Sequence, residues 1–297
     1  MASSSSNQPT RSISLPSRPH PLVPQIDEHF SRLRSSEVAS TSVSQLSSLG
    51  HKLNILKDLY SCYDNLILLP QNQQKIVQLP DATCIDELLD GSLRLLDVCG
   101  IVKDVLSQVT EHVQEIQSSL RRRSNPELSI GDEIVGYISM RKTTKVVIKR
   151  CSKDVKEGEA HHDNVAMIGV LREIEEETAE IFESLLEAIS GSKAQSHKRG
   201  ASLSVVMCKL IMYHSDAYEE EVEESKNEFE DVDSNLSSLV ISQKKRSCLI
   251  PNVVQAENFR KKLVKLDSAI QDLDEVLEGL FRCLVKTRAT LLNIRYY

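Results

Sequence analysis

Tryptophan is absent from this chain, and Phe and Tyr together make up only 4% of it. Its core must therefore be built from Leu, Ile and Val, and it offers few rings on which nucleobases could stack. Glycine (10) and proline (9) are scarce for 297 residues, which suits long uninterrupted helices. A formal net charge of -7 provides no global basic field to hold a polyanion, so the sequence argues against nucleic acid as a partner. No apolar run approaches the roughly 18 residues needed to span a bilayer. The N-terminus shows no signal-peptide apolar region, so a soluble, intracellular protein is expected, with the cytoplasm as its compartment. P-loop, dinucleotide glycine fingerprint, nucleophile elbow and HExxH patterns are all missing, and the expectation is a protein that is not an enzyme and needs no cofactor. Seven dispersed cysteines, odd in number and without metal-ligand spacing, read as free thiols in a reducing compartment.

What is present is hydrophobic periodicity. From Ile85 to Leu120, the residues Ile85, Leu88, Ser92, Leu95, Cys99, Val102, Leu106, Val109, Val113, Ile116 and Leu120 follow alternating steps of three and four. That spacing draws one seam along a helix of roughly 50 Å. Leu89, Leu93 and Leu96 widen the stripe enough for a second neighbour. Gly91 and Gly100 each cost about 1 kcal/mol against alanine, which points to close helix approach as the compensation. A second seam runs through Phe259, Leu263, Leu266, Ile270, Leu273, Leu277, Leu280, Leu284, Thr287, Leu291 and Ile294. The two match in length, and an antiparallel pairing between them is the main tertiary expectation.

The other elements follow from breakers and period. A short helix is expected over Gln25 to Arg34, and another over Ser42 to Leu68 with Leu46, Leu49, Leu53, Leu56, Tyr60 and Tyr63 inward, ending before Pro70. Residues 71–80 form a Gln-rich connection with room for one helical turn. Asp81 or Thr83 would cap the first seam helix, and Arg121 to Arg123 would close it against the helix dipole. Met140 to Lys156 is cationic and Arg172 to Glu187 is acidic, so the two are expected to form a hairpin with charges pairing beside Tyr137, Val147, Ile168, Leu171, Ile181 and Leu185. A flexible link over 191–200, a helix near Leu203 to Tyr213 and a flexible acidic stretch near 216–235, read as a solvated loop or frayed helix, complete the chain. The fold class is all-α: an elongated multi-helix bundle with long antiparallel helices, a tail over 1–24 and one domain over 25–297.

Candidate sites are few. The Ser/Pro-rich tail carries Arg11 and Arg18 and no acid before Asp27, and it cannot bury enough apolar surface to order itself. Ser14, three residues after Arg11 and two before Pro16, fits a basophilic kinase site that a phosphoserine adaptor would read. The same composition fits an organelle transit peptide. Arg141, Lys142, Lys145, Lys149, Arg150 and Lys153 form a basic helix that would contact anions or an anionic membrane, or simply face solvent and the acidic helix. His161, His162 and Asp163 read as a polar turn rather than a metal site, and Cys99 as a small hydrophobe in the seam. The Glu173, Glu176, Glu177 and Glu180 spacing lacks the Glu-x-x-His partners of a carboxylate di-metal site.

Several stretches carry a resemblance: RSISLPSRPHPL (Arg11 to Leu22), LKDLYSCYDNLILLP (Leu56 to Pro70), DELLDGSLRLLDVCG (Asp86 to Gly100), SSLRRR (Ser118 to Arg123) and LFRCLVKTRATLLNI (Leu280 to Ile294). The chain resembles a plant-specific, BYPASS-like family of helical proteins, and the resemblance extends over nearly its whole length. It implies a part in root and shoot development and brings no catalytic residues with it. Chloroplast members of the family keep the transit-peptide reading open. Two function classes stand at this point. One is a non-enzymatic protein-interaction or regulatory module using helical surfaces, and the other a peripheral membrane protein binding anionic lipid through the basic helix 141–156 and the Arg121 to Arg123 cluster.

Overall fold

A computed structural model describes residues 20–35, 44–78, 83–122, 131–156, 166–191, 227–245 and 253–296. Among them are eight helices and no strand: α1 (Leu22–Ser35), α2 (Gln45–Ile67), α3 (Pro70–Val77), α4 (Thr83–Arg121), α5 (Gly131–Lys156), α6 (Ala166–Ser190), α7 (Glu228–Lys245) and α8 (Val253–Tyr296). The all-α bundle expected from the periodicity is what the chain forms. At 39 and 44 residues, α4 and α8 run about 58 and 66 Å.

Helices α2, α8, α4 and α6 form a four-helix core, each packed on the next in that order around the ring. Every residue of the α8 seam from Phe259 to Ile294 is buried, and so is the α4 seam from Ile85 to Ile116, with Leu120 half-buried. The two seams face each other antiparallel. Cys99 Sγ lies 3.7 Å from the Leu277 carbonyl, Gln114 reaches Asp267, and Arg295 near the end of α8 pairs with Asp86 near the start of α4. Helix α2 runs parallel to α8, since Lys57 and Asp64 meet Cys283 and Thr287 in the same order. It runs antiparallel to α6, where Tyr60 meets Thr178 and Tyr63 meets Met167. Helix α1 packs on α2, α5 on α4 and α6, and α7 on α8.

Local chemistry explains several boundaries. Ser44 caps α2 by accepting from the Ser47 N–H, and Pro70 opens α3, where a missing N–H costs nothing. Helix α1 begins at Leu22, before Pro24, because proline is tolerated in a first turn. Residues 70–77 give two helical turns rather than one. Thr83 is the first residue of α4, and Asp81, the other candidate cap, lies outside the described residues.

Other expectations are corrected by the packing. Of the residues expected to widen the α4 stripe, Leu89 is buried and Leu96 packs partly buried on the core, whereas Leu93 is 44% exposed and the stripe instead continues through Gly91, Val98 and Val105. Gly91 does make room, but for a side chain: the Glu175 carboxylate occupies the place a Cβ would take. Gly100 has nothing within 4 Å of such a Cβ, so no close approach explains it. Helix α5 starts at Gly131, nine residues before Met140, and its buried face holds Ile148, with Val147 only half-buried. The acidic stretch becomes helix from Glu228, because Phe229, Val232 and Leu236 supply an apolar face among the carboxylates and all three are buried. The link after Gly191, the helix expected near Leu203 to Tyr213 and the turn at His161 to Asp163 lie outside the described residues.

Candidate functional site

The polar side chains inside the core are spent on joining helices. Asp64 of α2 is fully buried and accepts from Thr287 Oγ1 of α8 at 2.6 Å, with Lys286 Nζ 3.4 Å from its other oxygen. Burial pushes its pKa up, against the opposing pull of Thr287 and Lys286. Tyr60 and Thr178 join α2 to α6 through their hydroxyls at 3.2 Å, and Tyr63 donates to the Met167 carbonyl at 3.2 Å. Arg288 of α8 donates to the Leu89 carbonyl and to Ser92 Oγ on α4. Glu175 of α6 rests on Gly91, where burial, outweighing Arg172 and Arg94, lifts its pKa to about 8. The Cys99 thiol is likewise pushed up, to about 12, by burial in the seam, which leaves it unreactive. The hydrogen bonds fix the register of the core helices, and the Glu175 and Asp64 carboxyls both act on the Tyr60 and Tyr63 hydroxyls between them. Among the described residues no cluster of three or more His, Cys, Asp or Glu is placed to hold a metal ion.

Helix α5 has two faces with different chemistry. Arg141 belongs to the inner one: it is 4% exposed, so it is not the surface anion contact that its place in a basic run suggests. Its guanidinium grips Asp233 of α7 through Nε and Nη2 at 3.1 and 2.9 Å, while Tyr137 donates to the same carboxylate at 3.1 Å. The guanidinium also sits 5.1 Å from the centre of the Phe229 ring. The signal was legible in retrospect: Tyr137, Arg141, Thr144, Ile148 and Cys151 share one helical face, and all are buried. The outer face carries Lys142, Lys145, Lys149, Arg150 and Lys153, all exposed. Among the described residues no salt bridge reaches Lys142, Lys149, Arg150 or Lys153, and Lys145 only grazes Asp233 at 4.0 Å.

Among the described residues, the ion pairs seen for α5 and α6 go to other partners rather than across the hairpin. Arg34 of α1 takes Glu173 and Glu177, Arg172 takes Glu87 of α4, and the α5 contact goes to α7. Of the four glutamates considered as metal ligands, Glu176 and Glu180 face solvent. Ser14, Arg11 and Pro16 lie outside the described residues.

One end of the bundle gathers exposed apolar side chains. Gln25 beside Cys62 places the start of α1 near the end of α2, while α3 packs on α8, whose end meets the start of α4. Val23 (37% exposed), Leu68 (46%), Val77 (58%) and Tyr296 (78%) all stand on the element ends brought together there. Along the side, α2 and α8 leave an open groove of about 880 Å³ whose lining includes Gly50, His51, Asn54, Val264 and Asp272. No helix among the described residues is long and apolar enough to cross a membrane.

Comparison with known proteins completes the description. No curated protein and no solved structure matches the chain. The sequence model of the family described as Protein BPS1 matches residues 52–294, from early in α2 to the last turns of α8, and so takes in all four core helices. That span is well over half of the 297 residues, and the chain belongs to the BPS1 family.

Proposed function

We propose that this protein is a non-enzymatic helical module that acts in plant root and shoot development by binding other proteins through its surface. Family membership supports the developmental setting. The observation that carries the binding role is the apolar end of the bundle, where Val23, Leu68, Val77 and Tyr296 remain in water although the core has room for more than fifty other apolar residues. Two of the buried ionisable groups, Asp64 and Arg141, are paired between helices, which supports the non-enzymatic reading. The compartment in this reading is the cytoplasm, with the chloroplast as the alternative.

The test is complementation. A Leu68→Ser/Val77→Ser/Tyr296→Ser variant, which alters only exposed positions, should keep the helicity and melting temperature of the parent. It should lose its co-purifying proteins and fail to restore root and shoot growth in plants lacking the protein. Full restoration, with the same proteins retained, would discard this surface. A Ser14→Ala variant run alongside addresses the phosphoserine adaptor: if its co-purifying proteins match those of the parent, the tail is not a phosphorylation switch.

A further inference from the structure

The outer face of α5 is distinct from the apolar end of the bundle and has its own chemistry. With each residue advancing about 100° around a helix, Val135, Lys142, Val146, Lys149, Arg150 and Lys153 fall within roughly 60° of one line. That line lies opposite the buried face of Tyr137, Thr144, Ile148 and Cys151. Val135 and Val146 are 64% and 53% exposed, and the four cations stand around and beyond them in solvent. From residue 134 to 153 the helix holds six cations and no acid, in a chain whose net charge is -7. Its own acids are Asp132 and Glu133 in the first turn, about 15 Å along the axis from Lys142, where Glu133 accepts from Ser119, and Asp154 in the last turn. Among the described residues, the salt bridges that reach the cations of this helix from a packed helix come from Asp233, which Arg141 already holds on the inner side.

We propose that this face docks the protein on an anionic membrane surface. The cations would sit among lipid headgroups, with their aliphatic stems lying along the interface, while Val135 and Val146 enter the headgroup boundary. Charge complementarity selects the anionic surface, and the valines interspersed among the cations favour a bilayer over a purely polar acidic segment. A nucleic acid fits less well: the only aromatic side chain on this stretch of α5, Tyr137, is buried, so no base can stack there. Four cations on an isolated face give reversible attachment that salt weakens.

Co-sedimentation of the full chain with vesicles tests the proposal. At about 0.1 M salt it should pellet with phosphatidylcholine vesicles containing phosphatidylserine and stay in solution with pure phosphatidylcholine. Removing one of these cations should weaken partitioning about fivefold, and Lys142→Gln/Lys149→Gln/Lys153→Gln about a hundredfold, with unchanged helicity and melting temperature. Val146→Ser should shift the salt concentration at which the protein detaches to lower values. A control with the same charge change elsewhere, Arg32→Gln/Lys75→Gln/Lys261→Gln, should still pellet. The proposal is overturned by absence of pelleting with anionic vesicles at low salt, or by equal loss in the control. Capture by immobilised polyglutamate without any vesicle binding would also overturn it, in favour of an acidic protein segment.

Discussion

Glu175 shows how one side chain's position sets its chemistry. It belongs to an acidic run on α6, yet its carboxylate is tucked against Gly91 on α4, where burial outweighs Arg172 and Arg94 and lifts its pKa to about 8. Below about pH 4.5 the group is protonated in both folded and unfolded chains and contributes nothing to pH dependence. Between pH 4.5 and 8 the unfolded chain ionises while the folded one holds its proton, so stability falls as pH rises through that window. Glu175→Gln keeps the neutral shape and escapes the penalty. Denaturant unfolding should therefore show the variant ahead of the parent by of the order of 1 to 3 kcal/mol at pH 8, and level with it near pH 4.5. An advantage of the same size at both pH values would place its origin elsewhere. None of this was legible in the sequence, where Glu175 looks like its neighbours Glu173 and Glu176.

At the scale of elements, α7 and α5 define each other. The acids of α7 suggested a solvated loop, but Phe229, Val232 and Leu236 give it an inner face. Asn227 caps it by accepting from the Glu230 N–H at 2.9 Å while donating to the Ala188 carbonyl of α6 at 3.0 Å. Lys262 and Lys265 of α8 reach Asp231 and Glu228 at 3.5 and 3.4 Å, and Arg141 holds Asp233. The Lys262–Asp231 contact adds little, typically under about 1 kcal/mol, whereas Glu228 and Arg141 are themselves buried and their pairs cannot be broken cheaply. Asp233→Ala would leave Arg141 buried with its main partner gone and should cost about 3 kcal/mol. Native-state hydrogen exchange should then show α7 opening faster while α2, α4 and α8 keep their protection. Unchanged exchange in α7 would mean that the Phe229 face, and not the ion pair, holds it. Counted along the sequence α5 is basic apart from Asp154 in its C-terminal half; counted around the helix, its first arginine is an interior anchor while Lys142, Lys145, Lys149, Arg150 and Lys153 are surface.

At the scale of the whole molecule, the antiparallel α4–α8 pair carries the fold, and here the sequence was a good guide. The predicted seams are buried with hardly an exception, since a step of three and four leaves only one face of a long helix apolar. Leu277 is wholly buried at the Cys99 crossing, while Leu93, assigned to the same core from its spacing, is 44% exposed. Leu277→Ala should cost about 2–5 kcal/mol and Leu93→Ala under about 1 kcal/mol, read from parallel denaturant curves. Similar losses at the two positions would contradict this arrangement of the bundle.

The sequence by itself determined the helical class, the long helices, the antiparallel match of the two long seams and the family resemblance. Each follows from periodicity or from an unbroken run of matching residues. Only the tertiary structure decided that Arg141 is buried while Lys142 beside it is free, that Glu175 fills the space at Gly91, that Gly100 fills none, and that part of an acidic stretch is a docked helix. The physical reason is common to all four. Periodicity tells which side of a helix is apolar, but the state of a charge or the use of a glycine depends on which neighbour faces it, and that neighbour lies from 84 to 92 residues away in the chain for Glu175 and Arg141.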